Sequence, residues 1–274
     1  MTTPRNRERG IRFDAAGYSL IELLVAMLVS TLVVGGVMTM LTSIEEVHRD
    51  SQQLIDAQQQ ARISMEQIQR DLQVAGVGLA WLVAPLPLIV PQGAGSFQIR
   101  HNQGGLTSAL AADQTGTGGS LTVNDVTGFA VGMTAGVYDS SGAFDLVTIT
   151  GIDTGNNRIS HTGTSKAFTV ADGTAVAHIE TITYAVDAQN RLTRQIDNNA
   201  AQPIAGNVVN FAITYWNNGD PTTMFNPATN AEMMRIQTVQ IDLTIETEDA
   251  QINTANERQV TLSTRVTPRA IVLS

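Results

Sequence analysis

The sequence predicts an α+β protein: a long N-terminal helix packed on an antiparallel β-sheet domain that carries a β-rich insertion. Three observations predict it. Residues 17–41 form an apolar run of about membrane-spanning length. After Thr42 the apolar residues recur at steps of three and four as far as Ala75, which is one face of a helix. Beyond residue 77 the chain breaks into short alternating segments separated by Gly, Asn and Asp, the pattern of strands and turns.

The totals bound what such a chain can do. Its 274 residues allow one large or two small domains, and 43% hydrophobic content is enough for a packed core. A net charge of −9 argues against a basic surface for nucleic acid, and none is expected as a partner. Cysteine is absent, which excludes a disulfide framework, a thiol nucleophile and a thiolate metal site.

The first element is a basic leader. Arg5, Arg7, Arg9 and Arg12 outnumber Glu8 and Asp14 before the apolar run, which favours a cytoplasmic start. A secretory signal places its small-residue cleavage site after the apolar region. Here the small residue Gly17 precedes it, so a cut there removes the leader (1–17) and leaves the helix attached. The run also holds a carboxylate, Glu22. A carboxylate in hydrocarbon costs on the order of 2.5–3.5 kcal/mol, so Glu22 either sits at the interfacial end or needs a cationic partner.

Gly17-Tyr18-Ser19-Leu20-Ile21-Glu22 resembles the signal of type IV pilins and type II secretion pseudopilins. The resemblance implies that prepilin peptidase cuts after Gly17 and methylates Tyr18, where the family usually has Phe. It implies that Ser19, Leu20 and Ile21 complete the signal. Glu22 would pair with the N-terminal amine of a neighbouring subunit during filament assembly. The fold expected from the resemblance is the type IV pilin fold.

The helix is predicted over residues 18–76, with the transmembrane part at 18–42 and an amphipathic part at 43–76. Ile44, Val47, Ser51, Leu54, Gln58, Ala61, Met65, Ile68, Leu72 and Ala75 form its apolar stripe, suited to packing on its own domain, on other pilin helices, or both. Gly35-Gly36 is a soft spot or a close-packing site, at about 1 kcal/mol per glycine relative to Ala. Gly76 and Gly78 mark its end. Arg70-Asp71-Leu72-Gln73-Val74-Ala75-Gly76 is similar to the helix end of PilW-type minor pilins.

The remainder, 77–274, reads as the globular domain. Trp81 to Pro91 carries three prolines and reads as an extended connector. Phe97–His101 is a first strand, and about 103–178 is the insertion, opening with a Gly- and Thr-rich loop. Glu180–Val186 and Arg191–Ile196 flank Asp187–Asn190 as a hairpin. Its Tyr-x-x-Asp and Arg-Leu-x-Arg pattern is similar to PilW-like and J-type pseudopilin domains. Val208–Trp216, Ile236–Glu246 and Arg258–Val266 are further strands, the last two joined by a polar loop at 248–257. Pro268-Arg269-Ala270 resembles the Pro-Arg-Asn ending of related minor pilins, with Ala270 replacing Asn.

No catalytic constellation is expected, and no cofactor. His48, His101, His161 and His178 fall in no metal-ligand spacing. Asn217, Asn218 and Asp220, or Asp153 and Asn156, could ligate calcium, but such clusters are ordinary turn chemistry.

The resemblance therefore implies a minor pilin, a structural subunit that helps initiate or cap pilus assembly. Its partners would be prepilin peptidase, the major pilin, other minor pilins and the inner-membrane assembly platform. It would sit in the bacterial inner membrane with its domain in the periplasm, and then in the filament. The alternatives are a J-type pseudopilin of type II secretion and a binding or adhesion module at the tip.

Overall fold

A computed structural model of the chain describes residues 19–79, 86–114, 116–217, 220–247 and 258–268, except the side chains of 220–223. The leader, Gly17, Tyr18, residues 80–85 of the connector, Asn218, the 248–257 loop, Arg269 and Ala270 lie outside the described residues. By compactness the chain divides into residues 1–52 and 53–274.

Helix α1 spans Leu20–Gln73. In the first unit its apolar side chains, Leu24, Leu28, Leu32 and Met38 among them, are exposed. This stretch is long and apolar enough to cross a membrane. Its hydroxyls are turned inward on the helix. Thr31 donates to the Met27 and Leu28 carbonyls, Thr39 to Gly35 and Thr42 to Met38. Back-bonding of this kind satisfies a hydroxyl without water.

In the second unit α1 buries Ala57, Ala61, Ser64, Met65, Ile68, Asp71 and Leu72. Ala61, Met65, Ile68 and Leu72 of the stripe read from the sequence are buried, Ala57 is covered in place of Gln58, and Ser64 and Asp71 join the covered face. Strands β1 (Ile89–Gly93) and β2 (Ser96–His101) follow. The insertion then supplies β3 (Thr107–Ala109), β4 (Ser120–Thr122), β5 (Thr134–Tyr138), β6 (Phe144–Asp153), β7 (Arg158–His161) and β8 (Ala175–His178). The chain continues with β9 (Glu180–Val186), β10 (Leu192–Ile196), β11 (Gln202–Ala205), β12 (Val208–Asn217) and β13 (Asp220–Phe225). A short helix α2 (Asn230–Met233) precedes β14 (Ile236–Glu246) and β15 (Gln259–Val266).

These strands make three antiparallel sheets: β1-β2-β9-β10-β11, β13-β12-β14-β15, and β3-β8-β5-β6-β7-β4. The first two share one core with the second half of α1, in which Ile68, Leu72, Phe97, Tyr184, Val239, Ile241 and Leu243 are fully or almost fully buried. The insertion has its own core, built on Leu121, Val137, Ile149, Ile159 and Phe168. β14 buries residues on both of its faces. It is the central strand beside β12 and β15, and Thr238 and Thr244 are also covered, bonded to Thr267 and Thr261. Cross-strand hydroxyl pairs let the second face be covered without orphaned polar groups.

Candidate functional site

Among the described residues, α1 sets a carboxylate in apolar surroundings at two places. The first is the start of α1. The Glu22 and Leu23 amides donate to the Ser19 carbonyl at 3.0 and 3.2 Å. The Ser19 amide donates to Glu22 Oε2 at 3.4 Å. Glu22 thus occupies the first helical turn, where the helix dipole favours an anion. It is exposed among Leu20, Ile21, Leu23 and Leu24, and it has no cationic partner among the described residues. Gly35 and Gly36 lie further along the same helix. A Cβ on either would meet nothing within 4 Å, so nothing described in the chain requires glycine there.

The second place is a clasp between the end of α1 and the five-stranded sheet. Tyr184 Oη donates to Asp71 Oδ2 at 2.5 Å, and Arg194 Nε donates to the same oxygen at 2.6 Å. Tyr184 and Arg194 are direct partners in the β9–β10 register, so both reach one carboxylate. Phe97, Tyr184's partner on β2, stacks on its ring with centroids 5.4 Å apart. Burial pushes the Tyr184 phenol well up, and the Asp71 carboxylate adds to this. Burial is the largest single influence on Arg194 and works against its charge, but the hydrogen bonds and charge attraction of Asp71 and Tyr184 together outweigh it and raise the guanidinium. The clasp is therefore an ion pair with a neutral phenol donor. An ion pair in such a place fixes geometry more than it stabilises, because desolvation offsets most of the attraction.

The hairpin pattern noted in the sequence now has a mechanical meaning. Asp187 Oδ1 accepts from the Gln189 and Arg191 amides, and Arg191 Nε donates to Asp187 Oδ2 at 2.8 Å. Asn190 takes the positive φ of the turn. Leu192 is buried in the shared core, and Tyr184 and Arg194 hold Asp71. Sequence reasoning quoted Asp71 within the helix-end resemblance but gave it no partner. Its only local signal was a carboxylate on the core side of the amphipathic stripe, beside Leu72.

Past the clasp, α1 ends against β2. The Gly76 amide donates to the Arg100 carbonyl and the Asn102 amide to the Val77 carbonyl, both at 2.8 Å. Gly78 has φ +73°, and a Cβ there would stand 2.0 Å from the Asn102 carbonyl oxygen. Gly78→Ala is thus expected to cost more than the ~1–3 kcal/mol of an unfavourable φ alone. A lowered urea midpoint at unchanged slope would show it, and an unaltered midpoint would refute it.

Of the calcium candidates, Asn217 and Asp220 are paired strand ends of β12 and β13, and Asp153 with Asn156 forms a turn. Asp153 Oδ1 accepts from the Gly155 and Asn156 amides, and Oδ2 accepts from the Asn156 side chain at 2.7 Å. Among the described residues no group of three His, Asp or Glu converges as a metal site would. A cleft of about 570 Å³ opens between the β1–β2 turn and the loop after β13. Its one acid–base group is Tyr215, whose phenol burial pushes well up, so this cleft offers no general acid or base near neutral pH.

Residues 12–38 match the family model described as the prokaryotic N-terminal methylation motif. The match covers Gly17, Tyr18, Ser19, Leu20, Ile21 and Glu22. No curated protein and no solved structure matches the chain.

Proposed function

We propose that this chain, which carries a prepilin-type N-terminal motif on a long helix followed by antiparallel sheets, is a minor pilin. The observation that supports it most is Glu22. It is the one carboxylate in the exposed apolar half of the helix from Leu20 to Leu41, placed in the first turn with no cationic partner among the described residues. A subunit whose N-terminal amine met Glu22 would satisfy both charges, and a subunit shifted along the filament would leave both unpaired.

In this reading prepilin peptidase cuts after Gly17 and methylates Tyr18, with Ser19, Leu20 and Ile21 completing the signal. The helix first anchors the chain in the inner membrane. It then moves into a filament with the major pilin and other minor pilins, through the assembly platform, where the protein initiates or caps assembly. The role is structural. Mass spectrometry of the native protein tests the processing step: a chain beginning at N-methylated Tyr18 is expected, and an unprocessed Met1 terminus would overturn it.

A second reading, a J-type pseudopilin of type II secretion, rests on the same Tyr184, Asp187, Arg191, Leu192 and Arg194 hairpin. Adjacent genes for minor pilins or for a secretion operon separate the two.

A further inference from the structure

The insertion is joined to the five-stranded sheet by two short crossings, and each contains a largely buried histidine. His101 is the last residue of β2, 2% exposed, and is paired in register with Glu180 at the start of β9. His178 is the last residue of β8, 9% exposed, one residue before Ile179 leads into β9. We propose that these crossings form a pH-sensitive joint, which holds the insertion to the sheet at neutral pH and loosens as the medium acidifies.

The geometry centres on His101. The Gln103 amide donates to His101 Nδ1 at 3.3 Å, so the neutral imidazole carries its proton on Nε2. That buried Nε2 has no hydrogen-bond partner. The acceptor bond opens the turn that leads into the insertion. Asn102 clamps the other side of this turn: its Oδ1 accepts from the Leu106 amide, and its Nδ2 donates to the Leu106 carbonyl, both at 3.1 Å. The Leu106 carbonyl also accepts from the His178 amide at 3.0 Å. One short run of bonds therefore ties the outgoing crossing to the returning one.

Protonation breaks the first link of that run, because an imidazolium nitrogen cannot accept from the Gln103 amide. The charged ring would face Glu180 Oε2 at 3.8 Å on β9, with Asp71 on α1, Arg194 on β10 and Asp197 just after β10 also acting on it. On the second crossing His178 Nε2 stands 3.5 Å from Asp197 Oδ2, whose Oδ1 already accepts from the Thr181 amide. Burial dominates at His101. It holds the imidazole below the ordinary histidine range despite Glu180, Asp71 and Asp197, and Arg194 acts in the same direction as burial. A group with a lowered native value binds fewer protons folded than unfolded. Its contribution is complete above about pH 6.5 and is lost as pH falls through the native value.

Hydrogen exchange by mass spectrometry on the full chain in nanodiscs tests this, at about pH 7.5 and about pH 5 with rates referred to free-peptide rates at each pH. Protection over residues 103–106 and 178–181 is expected to fall about tenfold at the lower pH, while residues 61–72 of α1 keep theirs. His101→Asn supplies an acceptor that does not titrate, and it is expected to remove the pH dependence. Unchanged protection in the wild type, or an equal fall in the variant, overturns the proposal. If the variant loses protection across α1, the wild-type imidazole is titrated by NMR instead. A midpoint below about 6.5 that the Gln103 amide follows supports the joint, and a midpoint at or above it, or a Gln103 amide that does not follow, overturns it.

Discussion

Asp71→Ala is expected to lower the stability of the β domain by about 3–5 kcal/mol, because it leaves the Arg194 guanidinium and the Tyr184 hydroxyl without the carboxylate that satisfies both. Cavity formation is a minor part of this effect. The cost is that of an unpaired charge at the half-buried Arg194 and an unpaired donor at the buried Tyr184. The double variant with Arg194→Met is therefore expected to recover part of the loss, since removing both charges removes the uncompensated one. Urea unfolding of the two single variants and the double variant completes the cycle. A loss below about 1 kcal/mol in Asp71→Ala would show that the clasp contributes no more than a surface ion pair.

Gly17→Ala is expected to block processing altogether, so that a blot shows only the precursor with its leader of 17 residues. The comparison with Glu22→Leu gives this result its meaning. Glu22→Leu makes the helix more apolar, so insertion and cleavage are expected to proceed, while incorporation into filaments falls sharply for want of the anion. Wild-type incorporation of Glu22→Leu would remove the pairing role and leave Glu22 as an interfacial carboxylate. The two variants thus separate the cut from the register.

Much of the architecture was legible because its signals are local. The one-sided stripe from Ala61 to Ala75 announces a helix packed on a core, and Asp187–Asn190 between two alternating runs announces a hairpin. The signal Gly17–Glu22 is likewise read from chemistry close in sequence. What escaped was of two kinds. Strands β1, β11 and β13 contain Pro91, Pro203 and Pro221, and none of the three is among the strands expected from the sequence. Each of these strands lies at the edge of its sheet, where a missing amide donor costs no ladder bond on the open side. The capping box of α2, Thr229 with Glu232, was also passed over, because no apolar run follows it to signal a helix.

The second kind was distance. Asp71 meets Tyr184 and Arg194 across separations of 113 and 123 residues, and no spacing rule reaches that far. The buried histidines are similar. His101 and His178 look scattered in the chain, and only the β2–β9 pairing brings their crossings together.

That same pairing has a consequence for how the domain can vary. β2 and β9 are adjacent antiparallel strands, and His101 faces Glu180 as the last rung. Everything from Asn102 to Ile179 is, topologically, the loop of one hairpin. A module whose two ends already stand side by side can be exchanged for another, or for a tight turn, with little change in the entropy of closing the ends. The helix clasp and most of the shared core lie on the far side of that rung, although the end of α1 is tied to Asn102 through the Val77 carbonyl. The scaffold and its cargo meet at that rung and at a few contacts beside it, His178 with Asp197, Asn198 with Gly132, and Phe144 against the Leu79, Leu86 and Ile179 cluster.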